Sequence, residues 1–370
     1  MKFKCQKKDL TDILKVMTRA VNSKPQTPIL AGIYIKAEKD MLELQATDNE
    51  TGFICHIPAQ IDEEGEIVLA GRYFQDVSGK LPGDTITFDY NNEEKIAHIK
   101  SDYSNFTLLC MKAEDFPKIT PMESDVNFTI KNTIFNNLIR KTAFSCSTDE
   151  TRPVFTGCYL EINGNKITMA ATNTHRLAVK SDTLDTETNP IKIIIPAKVL
   201  TELSAITATD LPIDIKVNCS SNKISFSFEN TYMFSRIING NFPDYNNVIP
   251  KSYATKVRLK SDAFKEALDR VTLISRTNQF NIVKMEFADN KAVIFSNNPE
   301  IGNAEETIPV NIEGKDITIS FNGGYMTDVM KIIDDTDITI SLNTVTSPIS
   351  ITENKDDDFI YVVTPVRTSH

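Results

Sequence analysis

The chain has 370 residues, enough for two or three domains of ordinary size, and its 41% hydrophobic and 24% charged residues are typical of a soluble globular protein. No window approaches about 18 consecutive apolar residues, and the N-terminal MKFKCQKKDL lacks a signal-peptide core, so we expect a cytoplasmic protein without a membrane partner. The net charge of −10 argues against general affinity for nucleic acid, although it does not show how the charge is distributed.

The first elements are predicted as a strand, KFKC, and an amphipathic helix within residues 2–22. One face of this helix is apolar and the opposite face is mostly basic. The apolar positions are Leu10, Ile13, Leu14, Met17 and Val21. Strand-like runs follow at 29–37, 41–47, 52–58 and 66–70, and turn-forming or charged segments such as IDEEGE separate them.

A second helix is predicted from Gly71 to Leu81, where Phe74 and Val77 fall at helical spacing. It ends at Pro82-Gly83, a pair that stops a helix, and alternating strands resume from residue 85 to residue 111. The order of elements in the first third of the chain is therefore strand, helix, strands, helix, strands.

The same order then occurs twice more. Phe3 aligns with Phe128 at an offset of 125, and Phe135 aligns with Phe264 after a further 129 residues. In the second helix of each repeat, one position is occupied by Phe74, Leu200 and Met326, and another by Val77, Leu203 and Val329. A period this long indicates three copies of a domain, because solenoid repeats span about 20 to 50 residues. Polar, Pro-bearing segments near 113–125 and 241–253 place the domains at 1–120, 121–250 and 251–370.

Positive charge is concentrated in the predicted helices. The windows 7–24, 71–80, 131–141, 196–206, 260–276 and 323–333 hold 16 Lys or Arg and 8 Asp or Glu, a net of +8, which leaves −18 for the rest of the chain. This segregation indicates a basic, helical surface facing a polyanion without reading its sequence. The alternative is that exposed helix faces are simply rich in lysine.

The cysteines and histidines show no metal-binding pattern. The six cysteines contain no Cys-x-x-Cys pair and no metal-ligand spacing with the four histidines. We therefore expect reduced cysteines in the core, no metal and no cofactor.

The stretch ATNTHRLAV, residues 171–179, is predicted as a turn that leads into a strand, with His175 and Arg176 at the mouth of the strand. These two residues could serve catalysis, anion binding or the rim of a docking pocket with Leu177 as its floor. They could also be tied into local hydrogen bonds.

Five segments together resemble the bacterial beta sliding clamps, the processivity subunits of DNA polymerase III. They are ATNTHRLAV, NFPDYNNVIP at 241–250, YVVTPVR at 361–367, the opening MKF and TPILAGIYI at 27–35. The resemblance covers the whole chain. It implies an α+β fold of three repeated clamp domains, each with two antiparallel sheets packed outside two helices. It also implies a non-catalytic, head-to-tail homodimer that closes into a six-domain ring around double-stranded DNA.

The resemblance further implies a groove between the second and third domains that binds short peptides. Its expected partners are the catalytic subunit of the replicative polymerase, the clamp loader, and other polymerases and repair proteins. The matching residues are Phe155, Thr172, Thr174, His175, Arg176, Leu177, Pro243, Asn247, Val248, Val363, Thr364, Pro365, Val366 and Arg367. We expect Leu177, Val248, Val363 and Val366 to receive apolar anchors, and His175, Arg176 and Arg367 to form a polar rim.

For DNA contact, the resemblance and the helix faces together select Lys15, Arg19, Lys24, Arg72, Arg140, Lys141, Arg152 and Lys198. For closure of the dimer, the matching residues are Phe106, Leu108, Leu273 and Ile274, for which ordinary core packing is the alternative. A closed ring would also cover sheet edges that could otherwise aggregate.

The chain departs from the family pattern in ways that affect ligand preference. Thr174 stands where the family usually has glycine, so the turn either avoids a positive φ or is strained. Thr364 replaces a frequent methionine, and Asn246 and Asn247 replace basic residues. Ala197 stands at a position that is often arginine, which would remove one DNA contact.

Two other classes of function are considered. One is an enzyme built on His175 with a carboxylate such as Asp149 or Asp244, although the sequence has no nucleophile elbow, P-loop or HExxH motif. The other is a peptide-binding scaffold that never meets DNA. Reversing the charge of Lys15, Arg19, Arg140 and Lys141 would separate this class from a clamp.

Overall fold

The structure is a computed structural model and describes residues 1–21, 26–124, 126–209, 211–276 and 281–367. The α-helices in these ranges are α1 (Lys7–Met17), α2 (Gly71–Lys80), α3 (Asn132–Thr142), α4 (Ala197–Ile206), α5 (Ser261–Ser275) and α6 (Gly323–Met330). The pairings between strands in these ranges are antiparallel.

The strands alternate with the helices along the chain. They are β1 (Lys2–Gln6), β2 (Gly32–Glu38), β3 (Met41–Thr47), β4 (Thr51–Pro58), β5 (Gln60–Glu63), β6 (Gly65–Ala70), β7 (Thr85–Asn91), β8 (Ile96–Ser101), β9 (Ser104–Met111), β10 (Val126–Lys131), β11 (Gly157–Thr172), β12 (Arg176–Pro196), β13 (Asp214–Cys219), β14 (Lys223–Phe228), β15 (Thr231–Arg236), β16 (Thr255–Lys260), β17 (Ile282–Ala288), β18 (Lys291–Asn298), β19 (Gly302–Pro309), β20 (Asn311–Gly314), β21 (Ile317–Asn322), β22 (Asp337–Leu342), β23 (Ile349–Glu353) and β24 (Phe359–Val363).

The two helices predicted in the first third of the chain are confirmed, with different ends. α1 buries Leu10, Leu14 and Met17, but it stops at Met17 and does not continue through Val21. The hydroxyl of Thr18 donates to the Leu14 carbonyl at 2.9 Å, and the next amides bond three residues back, which tightens the chain and closes the helix. Val21 is nevertheless buried, because the chain continues along the core after the helix ends.

One strand lies where only a charged turn was expected. β5 (Gln60–Glu63) occupies part of the IDEEGE segment and pairs with β1 through Ile61 opposite Phe3. Its residues are exposed or half-buried, so its sequence lacks the apolar alternation by which strands are predicted. β5 therefore forms because β1 is available to pair with it, and the sequence of β5 alone does not predict the strand.

Contacts divide the chain into two compact units. The first unit comprises Met1–Thr133 and Glu202–Ile237, and the second comprises Ile134–Thr201 and Ile238–His370. The first unit contains a 13-stranded sheet in the order β10-β13-β14-β15-β4-β3-β2-β6-β9-β8-β7-β1-β5. The second contains a seven-stranded sheet, β11-β12-β24-β23-β22-β16-β20, and a four-stranded sheet, β19-β18-β17-β21. The domain boundaries expected from sequence stay a prediction.

Positions aligned by the internal repeat have equivalent places in the core. Phe74, Leu200 and Met326, from α2, α4 and α6, are each fully buried. Phe135 and Phe264, from α3 and α5, are also fully buried. The repeated apolar pattern therefore marks the face of each helix that packs against a sheet.

The six cysteines are free thiols. Cys5, Cys55, Cys158 and Cys219 are buried, as expected, whereas Cys110 and Cys146 are only half-buried. No group of three or more His, Cys, Asp or Glu side chains in the described ranges is placed to hold a metal ion. The helices in those ranges include none with the length and apolar character needed to span a membrane.

Candidate functional site

A tight turn joins β11 to β12 and presents the residues of ATNTHRLAV. The Thr172 hydroxyl donates to the Arg176 carbonyl at 2.6 Å and accepts from the Thr174 amide at 3.0 Å. The Asn173 side-chain oxygen accepts from the amides of His175 and Arg176 at 3.0 and 3.1 Å. Thr174 has a φ of 77°, so this threonine adopts a left-handed conformation that glycine adopts without a steric cost.

This turn forms one wall of a pocket in the second unit, with a volume of about 260 Å³, which we call the groove. Its floor includes Leu177 and Val362, which face each other across the pairing of β12 with β24. The residues that line it are Phe155, Thr172, Thr174, His175, Arg176, Leu177, Pro243, Tyr245, Val248, Val362 and Thr364. Nine of these were predicted from the sequence, and the structure brings them together from four separate segments of the chain.

Two residues that line the groove were missed, and Val363, which was predicted to line it, does not. Val362 lines the groove, whereas Val363 is fully buried in the core of the second unit. Successive side chains of a strand point to opposite faces, so placing Val362 over Leu177 turns Val363 away. Tyr245 also lines the groove, and its ring lies 6.2 Å from that of Tyr159.

The remaining predicted groove residues lie outside this pocket. Val366 and Arg367 line a separate pocket of about 580 Å³, where the Val366 amide donates to the Ser320 carbonyl at 2.8 Å. Asn247 donates from its side chain to Asp244 at 3.0 Å within a short turn. Pro365, half-buried, connects the two pockets along the chain without lining either.

Arg176 was predicted at the polar rim, and the structure corrects this. Its side chain is 8% exposed, donates to Asp328 at 2.8 Å and to the Phe144 carbonyl, and lies over the ring of Tyr325. Burial opposes ionisation of Asp328, but hydrogen bonds from Arg176 and Lys331 outweigh it, so the pKa of this carboxyl is below its usual value. The guanidinium of Arg176 therefore holds the turn in place through buried contacts and does not form an exposed rim of the groove.

His175, by contrast, is exposed at the rim. Its backbone carbonyl accepts from the Thr364 amide at 2.9 Å, which ties the turn to the chain after β24. Neither carboxylate proposed as a catalytic partner reaches its ring within the described ranges. Asp149 accepts from Thr151 and Asp244 from Asn246, each inside its own turn.

The surface of the groove is mainly apolar. Phe155, Leu177, Val248 and Val362 supply hydrocarbon, and burial raises the pKa of Tyr245 to about 12, which keeps this phenol neutral. A pocket with an apolar floor and a few polar groups at its rim is suited to side chains of a short peptide.

Six of the eight predicted DNA-facing residues are exposed. Lys15, Arg72 and Lys198 are exposed on α1, α2 and α4. Lys15 forms an ion pair with Asp12 at 2.9 Å, and Arg19, Arg140 and Arg152, which are also exposed, form ion pairs with Glu202, Asp334 and Asp149, respectively. Lys24 lies outside the described residues.

The prediction for Lys141 is wrong. This side chain is 2% exposed, and its ammonium is 2.5 Å from the Glu353 carboxylate. It also lies 5.1 Å from the ring centroid of Phe359. Packing of the end of α3 against the last strands has enclosed a lysine that the helical pattern places beside exposed Arg140.

The four residues expected at the dimer interface are not core residues. Phe106 is 42% and Leu273 is 59% exposed, whereas Leu108 and Ile274 are half-buried. Leu109, next to them in the sequence, is 79% exposed. The expectation that these four residues lie at a dimer interface stays a prediction.

Sequence profiles of three domains of the DNA polymerase III beta subunit match the chain one after another. The N-terminal domain matches residues 1–120, the central domain residues 129–244 and the C-terminal domain residues 246–367. A protein of Bacillus subtilis (strain 168) named beta sliding clamp is 32% identical over 379 residues, covering 100% of both chains.

The fold agrees with solved clamp structures. A crystal structure of the DNA polymerase sliding clamp from Bacillus subtilis superposes with a TM-score of 0.95 at 32% identity, covering 100% of both chains. The DNA polymerase III beta subunit from Thermotoga maritima superposes with a TM-score of 0.93 at 27% identity over 100% of both chains. With three α+β clamp domains matched in order along its length, the chain belongs to the DNA polymerase III beta subunit family, the beta sliding clamps.

Proposed function

We propose that this protein is a DNA sliding clamp, a non-catalytic and cytoplasmic processivity factor. Two copies close head to tail around duplex DNA and tether the replicative polymerase. The observation that carries the proposal is the groove, where nine residues predicted from the family pattern line one apolar pocket. Membership of the sliding-clamp family over the full chain supports the same conclusion.

The groove docks short peptides of the polymerase, the clamp loader and repair proteins. An apolar side chain of the peptide packs against Leu177, Val362 and Val248, which all line the groove. Full burial of such a side chain contributes about 1.5–3 kcal/mol. The exposed His175 contacts the peptide at the rim.

Closure of the dimer is supported by two edge strands. Residues 104–109 of β9 pair with β8 on one side, and β6 pairs only with the last two residues of β9. β19 forms the end of the four-stranded sheet and pairs with β18. The free edge of β9 exposes Phe106 and Leu109, and free strand edges can add a strand from another chain. A head-to-tail dimer would pair the two edges and so prevent further addition.

DNA contact is supported by exposed cations on helices. Lys15, Arg72 and Lys198 project from α1, α2 and α4, and exposed ion pairs such as that of Arg152 with Asp149 contribute little stability, so phosphate can compete for the cation. Contacts to phosphate alone carry no base preference, which suits a protein that must slide.

The test is electron microscopy of the purified protein together with retention on circular DNA. We expect class averages that show a central hole. We also expect the protein to be retained on nicked circular DNA and to be lost when the circle is linearised. Leu273→Asp should give open particles and no retention. Compact particles without a hole at every concentration, or retention that survives linearisation, would overturn the proposal.

A further inference from the structure

The turn that builds the groove occurs a second time, 125 residues earlier in the chain. The Thr47 hydroxyl donates to the Thr51 carbonyl at 2.8 Å and accepts from the Asn49 amide at 3.0 Å. The corresponding bonds of the groove turn measure 2.6 and 3.0 Å. The tip residue is left-handed in both copies, with a φ of 74° at Asn49 and 77° at Thr174.

A pocket of about 310 Å³ lies beside this earlier turn, within the first unit. We call it the junction pocket. Its walls come from the turn at Thr47 and Asn49, from the segment 117–122, and from β14 and β15 through Lys223 and Phe234. The groove has the same construction, because a turn, a Pro-bearing segment and a following strand enclose it.

The floors of the two pockets are also related by the repeat. In the groove, Leu177 lies opposite Val362 across two paired strands. At the corresponding place in the first unit, Gly52 lies opposite Phe234. A Cβ at Gly52 would be 2.5 Å from the Phe234 ring and 2.9 Å from the Ile119 side chain, so glycine is required for these two side chains to approach. Phe234 and Ile119 thus supply the apolar floor.

The junction pocket differs from the groove in carrying two lysines. Lys118 pairs with Glu66 at 2.8 Å, so its charge is partly compensated. The Lys223 ammonium lies 5.5 Å from the Phe234 ring centroid and forms no ion pair with any residue that the structure describes. The positive charge of Lys223 therefore stands at the edge of the apolar floor.

The acidic residues near the turn are engaged elsewhere. Asp48 accepts from the amides of Glu50 and Thr51 at 3.0 and 2.7 Å, and so closes the turn. Glu50, which corresponds to His175 of the groove, lies 3.6 Å from Arg236. Neither carboxylate lines the pocket, whereas Lys118 and Lys223 do, so the charge that faces a ligand there is positive. The ligand that fits is an anion with an apolar group beside it.

We propose that the junction pocket is a second docking site, which binds a short peptide carrying an acidic residue next to an apolar one. The apolar side chain packs on Phe234 and Ile119, and Lys223 pairs with the carboxylate. The groove lacks a cation at this position, so the two sites select different peptides. This second site goes beyond the proposed function, which uses the groove alone. It rests on the proposed function only in that the junction pocket is built like the groove.

The test is fluorescence anisotropy with the full chain and a fluorescein-labelled Gly-Asp-Leu-Phe-Gly amide as the probe. Val248→Asp places a charge in the wall of the groove and weakens binding there, so that binding which this variant retains in full reports other sites. We expect the variant to keep binding the probe, and the additional change Lys223→Glu to weaken that binding by about tenfold or more. Thr120→Trp, which fills the pocket from an exposed position, should abolish it.

The matched control is Lys256→Glu, an exposed strand lysine of the second unit, which should leave the affinity unchanged. Two results would overturn the second site. One is that the Val248→Asp variant does not bind the probe, and the other is that neither Lys223→Glu nor Thr120→Trp changes the binding that remains. Equal binding by wild type and Val248→Asp that is lost in the junction-pocket variants would support the second site, whereas the groove is tested separately with a polymerase-derived peptide. The two proposals therefore fail separately.

Discussion

The ammonium of Lys141 and the carboxylate of Glu353 lie 2.5 Å apart, and each side chain is 2% exposed. Glu353 also accepts from the amides of Asp334 and Asp335 at 2.7 and 3.1 Å. The pair joins the end of α3 to β23, elements far apart in the sequence but adjacent in the second unit. Because a buried charge without a partner is costly, Lys141 and Glu353 constrain how α3 packs against β23.

Lys141→Met should lower the free energy of unfolding of the second unit by about 3–5 kcal/mol, because Glu353 would remain as a buried, uncompensated charge. Adding Glu353→Gln should recover much of the loss, since no charge is then left unpaired. Urea unfolding followed by circular dichroism measures both. Lys198→Met, at an exposed site, is the control and should change stability by less than about 0.5 kcal/mol. A loss below about 1 kcal/mol for Lys141→Met would contradict the role of this ion pair.

Thr174→Gly should stabilise the protein by about 1 kcal/mol. A left-handed conformation costs a β-branched residue on the order of 1–3 kcal/mol, and glycine removes this cost. Glycine also loses more backbone entropy on folding, which offsets part of the gain in stability. Asn49→Gly is a matched control at the equivalent turn, where asparagine already tolerates a φ of 74°, so its effect should be smaller. Thermal unfolding of the two variants compares them. A larger gain for Asn49→Gly would argue against strain at Thr174.

The ion pair between Arg176 and Asp328 should make stability depend on pH in the acid range. The pKa of Asp328 is lowered in the folded protein, so its contribution is fully present above the ordinary carboxyl pKa, near pH 4, and is lost as the pH falls through the folded value. The difference in unfolding free energy between wild type and Asp328→Asn should therefore shrink from pH 7 to pH 3. Exposed Asp357→Asn is the control. A difference that stays constant over this range would contradict the assignment.

Val248→Asp should weaken binding of a polymerase-derived clamp-binding peptide by at least about tenfold, because a charge replaces hydrocarbon in the wall of the groove. Fluorescence anisotropy with the labelled peptide measures the affinity. Leu211→Asp, at a residue that is 75% exposed in the first unit, is the control and should bind normally. Equal affinities for both variants would place the peptide elsewhere.

Reversing the charge of Lys15, Arg72 and Lys198 should reduce the salt dependence of binding to a short duplex. The slope of log affinity against log salt falls by about 0.9 for each phosphate contact removed. Binding at several salt concentrations gives the slope directly. Lys256→Glu, an exposed lysine on β16, should leave the slope unchanged. If the triple variant and this control behave alike, the helices do not face DNA.

Much of the fold follows from local pattern. The helices α1 and α2 were predicted from apolar spacing, which reflects which side of a helix meets the core, and α3 to α6 from the recurrence of the same pattern in the repeat. The groove turn was also predictable, because Thr172 and Asn173 make short-range bonds that their side chains favour. β5 was missed, because its charged residues pair with β1 without alternation.

The sequence by itself determined the apolar face of each helix and the turn at Thr174, since these depend on spacing within a few residues. It also determined the three-domain repeat, because the same order of local patterns recurs along the chain. Tertiary structure alone decided that Val362 lines the groove while Val363 does not, and that Lys141 is buried while Arg140 is exposed. Strand register and helix packing depend on partners more than a hundred residues away. A shift of one residue on a strand, or about 100° on a helix, reverses which side chain meets the core.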